Sequence, residues 1–242
     1  MYIGSRKAEV HIVPDYLLQF AGQNFWVLEA KAPTENVEKG KNVEQAFSYA
    51  IHKDIRVKLY ALCNGRKFVL FHVSKWPPVF QCEIEQLHDW LPVLEEHVGV
   101  KNRSATNPDR TLAPDFGLYL LKSGLSRDNT GQKIQQIFPD LPLISIAKLE
   151  EAKYCINAIL YDFDGNKLML TADFGSEKYQ QLLSAIDENT RNKVKTALCM
   201  QPFFIHFERP SDCQVGMDSQ VGDVVLSNQD ENYCPLEVER FF

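Results

Sequence analysis

Short apolar runs alternate with polar turns through the first hundred residues, a pattern typical of β-strands joined by tight connections. Over 36–52, and most clearly after Gly40, apolar residues recur at intervals of three and four, which predicts an amphipathic helix. A second helix is predicted over 86–99, interrupted or kinked by Pro92. Strands are predicted over 8–13, 16–20, 25–30, 59–63, 67–73 and 79–85. The pattern therefore predicts a first domain of strands and helices, 1–100.

The pattern changes after this domain. Residues 101–150 are rich in Asn, Asp, Pro and Gly and are predicted to be a linker-like irregular segment. A second region, 151–242, is predicted to be of mixed α and β type and has no evident role. It holds an expected hairpin of strands 155–163 and 167–174 and an expected helix over 177–198. Further strands are expected over 202–208, 221–228 and 235–242.

Composition excludes several classes of protein. The chain has 242 residues, of which 45% are hydrophobic and 24% charged, as in ordinary globular proteins. No apolar run approaches the roughly 18 residues of a membrane span, so no membrane contact is expected. Charged residues near the N-terminus argue against a signal peptide, and six scattered cysteines without a C-x-x-C pair argue against a zinc ribbon or a disulfide framework. We therefore expect a cytoplasmic protein with reduced thiols.

Charge is unevenly distributed along the chain, whose net charge is −6. Residues 1–75 hold 11 Lys/Arg and 7 Asp/Glu, a net charge of +4. Residues 76–242 hold 15 Lys/Arg and 25 Asp/Glu, a net charge of −10. The acidic total argues against a protein that coats nucleic acid, but the mildly basic first third is compatible with contacts to phosphates.

Three charged residues stand beside two of the apolar strands. Asp15 precedes the strand 16–20, and Glu29 and Lys31 form a Glu-x-Lys triplet at the end of the next strand. Residues two apart on a strand project from the same face. Two carboxylates suit Mg²⁺, and a neighbouring lysine could position water or stabilise charge on a phosphate. The residues alone leave open an ordinary surface pair of Glu29 with Lys31 and an unrelated turn residue at Asp15.

Strand register decides whether Asp15 can join the other two side chains. A hairpin loop centred just after Gly22 would place Asp15 opposite Ala30, on the other face of the sheet from the Glu-x-Lys pair. Convergence therefore requires a loop of odd length or a β-bulge, which we expect near Pro14.

The order of these features resembles the PD-(D/E)xK nuclease superfamily, specifically the N-terminal nuclease domain of type I restriction enzyme R (HsdR) subunits. The matching stretches are PDYLLQFAGQNFWVLEAKAP, VEQAFSYA and YALCNGRKFVLF, within residues 8–75. The resemblance implies an α/β fold with a restriction-endonuclease-like core, a mixed central β-sheet flanked by helices, followed by the second small α+β region. It also implies DNA as a partner, together with other restriction-modification subunits.

The same resemblance implies roles for the charged triplet. It implies that Asp15 and Glu29 hold Mg²⁺, for which Mn²⁺ can substitute, with the Ala30 carbonyl as an extra ligand. It makes Lys31 the catalytic lysine of a Mg²⁺-dependent deoxyribonuclease that hydrolyses phosphodiester bonds.

Further residues in the predicted helix, or directly after it, are singled out by the resemblance or by their charge. Gln45 and Tyr49, one turn apart and away from the apolar stripe, match a Gln-x-x-x-Tyr motif that supports catalysis or contacts DNA; a solvated helix face is the alternative. Lys41 and Lys53 could approach a DNA backbone, and solvated surface is an equally good interpretation of both.

Two features depart from the family. The family usually has a helix bearing another Glu before the first strand, whereas about a dozen residues precede Pro14 here. Either the chain begins late or Glu9 replaces that acid. The chain also has no G-x-x-x-x-G-K-[ST] loop, so no ATP site of that kind is expected. A catalytically inactive nucleic-acid-binding or complex-assembly module with the same fold, or a plain interaction domain, remains the alternative.

A second set of similar residues is interpreted as coincidental. Pro139-Asp140 is followed by Glu151 and Lys153, but residues 147–154 are polar and are predicted to form an exposed helix end.

Overall fold

The structure is a computed structural model that describes residues 2–3, 6–7, 13–20, 22–52, 54–99, 114–161, 167–227 and 232–242. These residues form two compact units. Unit 1 comprises the described residues up to 99 together with Lys122–Gly124, and unit 2 comprises Pro114–Leu121 and the described residues from 125 onward. The predicted domain boundary near residue 100 falls at the edge of a stretch, 100–113, that lies outside the described residues. Within the described ranges, no helix is both long enough and apolar enough to cross a membrane.

Unit 1 is a mixed β-sheet with helices, as predicted. Its strands are β1 (Tyr2–Ile3), β2 (Arg6–Lys7), β3 (Tyr16–Phe20), β4 (Gln23–Ala30), β5 (Leu59–Cys63), β6 (Lys67–His72) and β7 (Phe80–Glu83). Its helices are α1 (Lys41–Ile51) and α2 (Leu87–Val98), and a 3₁₀ turn, Ile84–Gln86, precedes α2. β1 and β2 pair with each other. The sheet order is β3-β4-β5-β6-β7, in which β4 and β5 are parallel and the other pairs antiparallel.

The two faces of this sheet bury separate apolar sets, because alternate residues of a strand point to opposite sides. On one face Phe47 of α1 packs against Tyr60 of β5, with ring centroids 5.8 Å apart. On the other face Trp26, Leu28, Phe68 and Phe80 of the strands pack with Leu87, Val93 and Leu94 of α2. One helix therefore covers each face, and α2 continues through Pro92 rather than ending there.

Helix α1 is shorter than the predicted 36–52. It begins at Lys41 because Gly40 has φ 82°, a left-handed conformation that favours glycine and that a right-handed helix cannot contain. The preceding residues form a turn in which Asn36 Oδ1 accepts hydrogen bonds from two following backbone N–H groups. Most of the predicted apolar stripe is buried: Val43, Ala46, Phe47 and Ala50.

The part of the chain after residue 113 contains the remaining elements. Its helices are α3 (Phe116–Lys122), α4 (Ser176–Ala185) and α5 (Glu188–Cys199). Its strands are β8 (Gln135–Glu150), β9 (Lys153–Tyr161), β10 (Lys167–Gly175), β11 (Phe204–His206), β12 (Gln214–Val221), β13 (Leu226–Ser227), β14 (Asn232–Tyr233) and β15 (Leu236–Phe241).

Unit 2 is a closed barrel of five strands. The order is β8-β12-β15-β10-β9, and β9 pairs back onto β8. β10 and β15 are parallel, whereas the other pairs are antiparallel. β8 is 16 residues long and can close the barrel because its first half pairs with β12 and its second half with β9. The buried core of unit 2 consists of apolar side chains of the strands and of α4 and α5, including Leu143, Ile146, Ile156, Leu170, Leu182, Val194, Met217 and Leu236.

The prediction of a linker over 101–150 is wrong from residue 114 onward. Residues 101–113 lie outside the described residues, but α3 and the long strand β8 follow them. The prolines that suggested a linker sit where the ladder of β8 is irregular. Pro139 lies at the register shift against β12, and Pro142 directly precedes the change of partner from β12 to β9. A proline lacks the N–H that a regular ladder needs, so it is tolerated at such points.

Two further predictions in this region are corrected. The single helix expected over 177–198 is two helices, because Ile186 is extended and the Asp187 side chain accepts a hydrogen bond from the Thr190 N–H, which starts α5. Residues 147–154 are not a helix end: β8 turns directly into β9 there. The hairpin of β9 with β10 is confirmed, although its turn at 162–166 lies outside the described residues.

Strand β12 was missed by the sequence analysis. Its sequence, QVGMDSQV, contains two polar residues that the structure buries, Asp218 and Ser219. Asp218 is neutralised by an ion pair with Arg240 of β15. Burial of a paired carboxylate removes the simple alternation of polar and apolar residues on which strand prediction depends.

Candidate active site

Strands β3 and β4 contain the irregularity that the sequence analysis required. Their register shifts between Leu18 and Gln19, so the bulge is present but its expected position near Pro14 is wrong. As a result Asp15 lies beside Glu29, and the two residues are hydrogen-bonded to each other. A single extra residue in one strand is enough to move a side chain to the other face of the sheet.

Asp15 and Glu29 are held by reciprocal hydrogen bonds across the two strands. The Asp15 N–H donates to Glu29 Oε1 at 3.0 Å. The Ala30 N–H donates to Asp15 Oδ2 at 2.9 Å. Hydrogen bonds from backbone amides to charged carboxylates are stronger than those between neutral groups. Both carboxylates therefore have fixed orientations before any ligand arrives.

Lys31 completes the charged cluster. Its Nζ donates to Glu29 Oε2 at 3.0 Å and to Gln45 Oε1 at 3.0 Å. The Glu29 side chain is 3% exposed and the Lys31 side chain 12% exposed, so the ion pair is largely shielded from water. A buried carboxylate is costly unless it is paired and hydrogen-bonded, and Glu29 meets both conditions. The Lys31 N–H donates to the Cys63 carbonyl at 2.8 Å, which fixes the end of β4 against β5.

Helix α1 presents two polar residues to this cluster. Gln45 and Tyr49 are one turn apart, and Gln45 Nε2 donates to the Tyr49 hydroxyl at 2.6 Å. The same amide accepts from Lys31 through its oxygen. The structure thus connects Tyr49, Gln45, Lys31, Glu29 and Asp15 in one chain of hydrogen bonds.

Three other residues predicted from the sequence have no contact with the cluster that the structure describes. Lys41 is exposed at the first position of α1, one turn before Gln45. Lys53 and Glu9 lie outside the described residues.

Asn64, which was not predicted from the sequence as a site residue, positions the chain next to the cluster. Its Nδ2 donates to the Glu35 carbonyl at 2.9 Å, and its Oδ1 accepts from two backbone N–H groups of the β5–β6 turn. Asn64 therefore ties the segment after Lys31 to the end of β5. An Asn-Gly pair between two apolar runs is a typical hairpin signal, but it gives no indication of the contact between Asn64 and Glu35.

The donor set of the cluster fits a hard divalent cation of the Mg²⁺ type. Mg²⁺ in proteins takes one or two carboxylates and completes its coordination with water and substrate phosphates. Asp15 and Glu29 are two such carboxylates, and Ala30 lies between Glu29 and Lys31 at the same strand end. Within the part of the chain that the structure describes, no group of three or more His, Cys, Asp or Glu gathers into a metal site. With only two carboxylates at this point, water and substrate would have to supply the remaining ligands of such a cation.

Comparison with known proteins adds no assignment. No family model matches the chain, and searches of curated proteins and of solved structures also give no match.

Proposed function

We propose that the chain is a metal-dependent DNA endonuclease of the PD-(D/E)xK type, related to the N-terminal domain of type I restriction enzyme R subunits. The observation that carries the proposal is the convergence of Asp15, Glu29 and Lys31. Asp15 directly precedes β3, Glu29 lies near the end of β4 and Lys31 directly follows β4. Hydrogen bonds of 2.9–3.0 Å join this group at one end of β4. A coincidental motif would not require a β-bulge that turns Asp15 toward the Glu-x-Lys pair.

The residues of the cluster have distinct roles in this proposal. Asp15, Glu29 and the Ala30 carbonyl hold Mg²⁺ or Mn²⁺, which when bound polarises the phosphodiester and lowers the pKa of water. Lys31 holds its ammonium beside the phosphate, where it stabilises developing negative charge and orients the attacking water. Gln45 fixes the direction of Lys31, and Tyr49 fixes Gln45.

Hydrolysis exchanges one ester bond for another P–O bond. The water oxygen bonds to phosphorus, the bond from phosphorus to one sugar oxygen breaks, and the released sugar oxygen takes up a proton. The net charge of +4 over residues 1–75 supports DNA as the substrate, with Lys41 and Lys53 as contacts to its backbone.

Cleavage of supercoiled plasmid DNA in Mg²⁺ or Mn²⁺ tests this function. We expect Lys31→Ala and Asp15→Asn each to lower the cleavage rate by about 100-fold or more, the range for loss of a group that acts on the transition state. Lys67→Ala is the matched control, because Lys67 also forms a Lys–Glu pair, 2.8 Å from Glu38, but contacts none of the three site residues. Undiminished cleavage by Lys31→Ala would contradict the proposal.

One observation favours a second function, a nucleic-acid-binding or complex-assembly module that does not cut. The carboxylates of Asp15 and Glu29 are already satisfied by protein donors at three of their four oxygens. A cluster whose carboxylate oxygens are already hydrogen-bonded to this extent can stabilise the fold without a metal. This module would retard DNA on a gel without cutting it, and Lys31→Ala would leave the retardation unchanged.

A further inference from the structure

The hydrogen bonds of the cluster decide how a cation can enter it. Glu29 Oε1 accepts from the Asp15 N–H, and Asp15 Oδ2 accepts from the Ala30 N–H. Both donors are backbone groups, one directly before β3 and the other at the end of β4, and neither can leave without moving the main chain. Glu29 Oε2 accepts from Lys31 Nζ, which is a side-chain donor. Lys31 is therefore the movable partner at the oxygen that a metal needs.

We propose that Lys31 is a built-in counter-ion that competes with the divalent cation for Glu29, so that the free protein binds the metal weakly and substrate phosphate promotes its binding. This inference rests on the proposed function, because that proposal makes Asp15 and Glu29 the metal ligands.

The charges of the cluster give the reason. Two carboxylates and one ammonium leave a single net negative charge, which is less than a divalent cation needs. A phosphodiester contributes one more negative charge, so the two carboxylates, the ammonium, the phosphodiester and the divalent cation together are neutral. Because the Glu29 side chain is only 3% exposed, water screens these charges weakly and the balance matters.

Because Lys31 and the cation compete, loss of Lys31 should change metal affinity and the cleavage rate in opposite directions. Removing the Lys31 charge should slow cleavage strongly under the proposed function, yet it should tighten metal binding by the free protein. Repulsion between like charges near a protein surface is large enough for an increase of about tenfold or more in affinity.

The test is Mn²⁺ binding to the full chain without DNA, measured from the electron paramagnetic resonance signal of free Mn²⁺. We expect Lys31→Met and Lys31→Gln to bind Mn²⁺ about tenfold more tightly than the unsubstituted protein. Lys31→Arg keeps the charge and should retain the weak binding. Lys31→Gln guards against misfolding, because its amide can still donate to Glu29 and the buried carboxylate is not left without a donor. Circular dichroism checks that each variant is folded.

Two controls locate the effect. Adding Asp15→Asn to Lys31→Gln should remove the gain in affinity, because the tightened site then has lost a ligand. Lys67→Met removes an equal charge from another Lys–Glu pair of unit 1 and should leave Mn²⁺ affinity unchanged. Equal affinity in the unsubstituted protein and both neutral variants, or no Mn²⁺ binding in any of them, overturns the inference. So does an equal gain in Lys67→Met, which would show that only the total charge matters.

The outcome is separable from that of the proposed function. A protein that shows these Mn²⁺ affinities but never cuts DNA would refute the nuclease and leave the counter-ion in place. A protein that cuts DNA, and whose affinity for Mn²⁺ does not depend on Lys31, would support the nuclease and refute the counter-ion.

Discussion

The two units of this chain bury their cores in different ways, and the difference determines what the sequence reveals. In the main sheet of unit 1, neighbouring strands are also consecutive along the chain, and the one parallel pair, β4 with β5, is joined through α1. In unit 2 the barrel closes only when β8 pairs with β12, a strand that follows two helices and two other barrel strands. Local signals suffice for the first arrangement, whereas the second depends on contacts between distant parts of the sequence.

The two units can be followed separately by experiment. All three tryptophans of the chain, Trp26, Trp76 and Trp90, belong to unit 1. Tryptophan fluorescence therefore reports on unit 1, and hydrogen exchange of individual peptides reports on either unit.

The largest effect is expected from Phe47→Ala in unit 1. Phe47 is fully buried beneath α1 and packs on Tyr60, so its loss leaves a cavity that should cost about 3–5 kcal/mol. Urea unfolding followed by tryptophan fluorescence measures this cost. Ser48→Ala, the next residue of the same helix, is the control and should change stability little. A cost for Phe47→Ala near that of the control would show that α1 does not cover this face.

A similar substitution tests the closure of the barrel. Ile146 of β8 is fully buried and pairs with Ile156 of β9, so Ile146→Ala should cost about 2–5 kcal/mol. Because β8 is shared, we expect faster hydrogen exchange in peptides of both β9 and β12. Ile137→Ala, on the same strand but 61% exposed, is the control. Faster exchange confined to β8 and β9 would argue for an open sheet.

These substitutions also show how far the sequence could predict each fold. The stripe that contains Phe47 follows from helical periodicity within eleven residues, and the Asn64-Gly65 turn is a local hairpin signal. Nothing local marks β8 as a strand that pairs with β12, β9 and β11. Its prolines at 139 and 142 argue for a loop, and they are tolerated only because the ladder is irregular there.

The candidate site was predictable in composition but not in geometry. Asp15, Glu29 and Lys31 could be named because the spacing of the motif is local. Their convergence depends on a register shift after Leu18, and no residue type in the sequence predicts that shift. The burial of Glu29, which makes Lys31 its obligatory partner, depends on how α1 packs over β4 and was likewise not visible from the sequence.

The pH dependence of unit 1 should come in large part from His72. Burial, and to a smaller extent the nearby Lys122, Lys75 and Lys58, lowers the pKa of His72 to about 4. Its Nδ1 also accepts a hydrogen bond from the Ser74 N–H, which only the neutral ring can do. The folded state thus prefers neutral His72, and this stabilises unit 1 fully above the unfolded pKa of about 6.5.

Acid should therefore weaken unit 1 over a defined interval. As pH falls from about 6.5 to 4 the unfolded state takes up a proton that the folded state does not, at a cost of about 3 kcal/mol. Burial lowers the pKa of Lys122 to about 7, so Lys122 adds to the loss of stability mainly above this interval and is charged in both states through most of it. Urea unfolding followed by tryptophan fluorescence at pH 7.5, 5.5 and 4 measures the loss. His72→Gln should flatten it, whereas the exposed His88→Gln should not; equal slopes in both variants would contradict this account.

The smallest predicted effect compares one substitution in both units. Gly65 of the β5–β6 turn has φ 75° and Gly131 of unit 2 has φ 85°, and an added Cβ would meet no atom within 4 Å at either position. Alanine should therefore cost only the backbone strain of the left-handed region, about 1 kcal/mol at each position. Asparagine tolerates this region better and should cost less. Tryptophan fluorescence measures the change for Gly65→Ala, and exchange in the peptide spanning 127–133 measures it for Gly131→Ala. A much larger cost at Gly65 would mean that the hairpin also holds the segment that Asn64 binds, and so supports the site as well as the sheet.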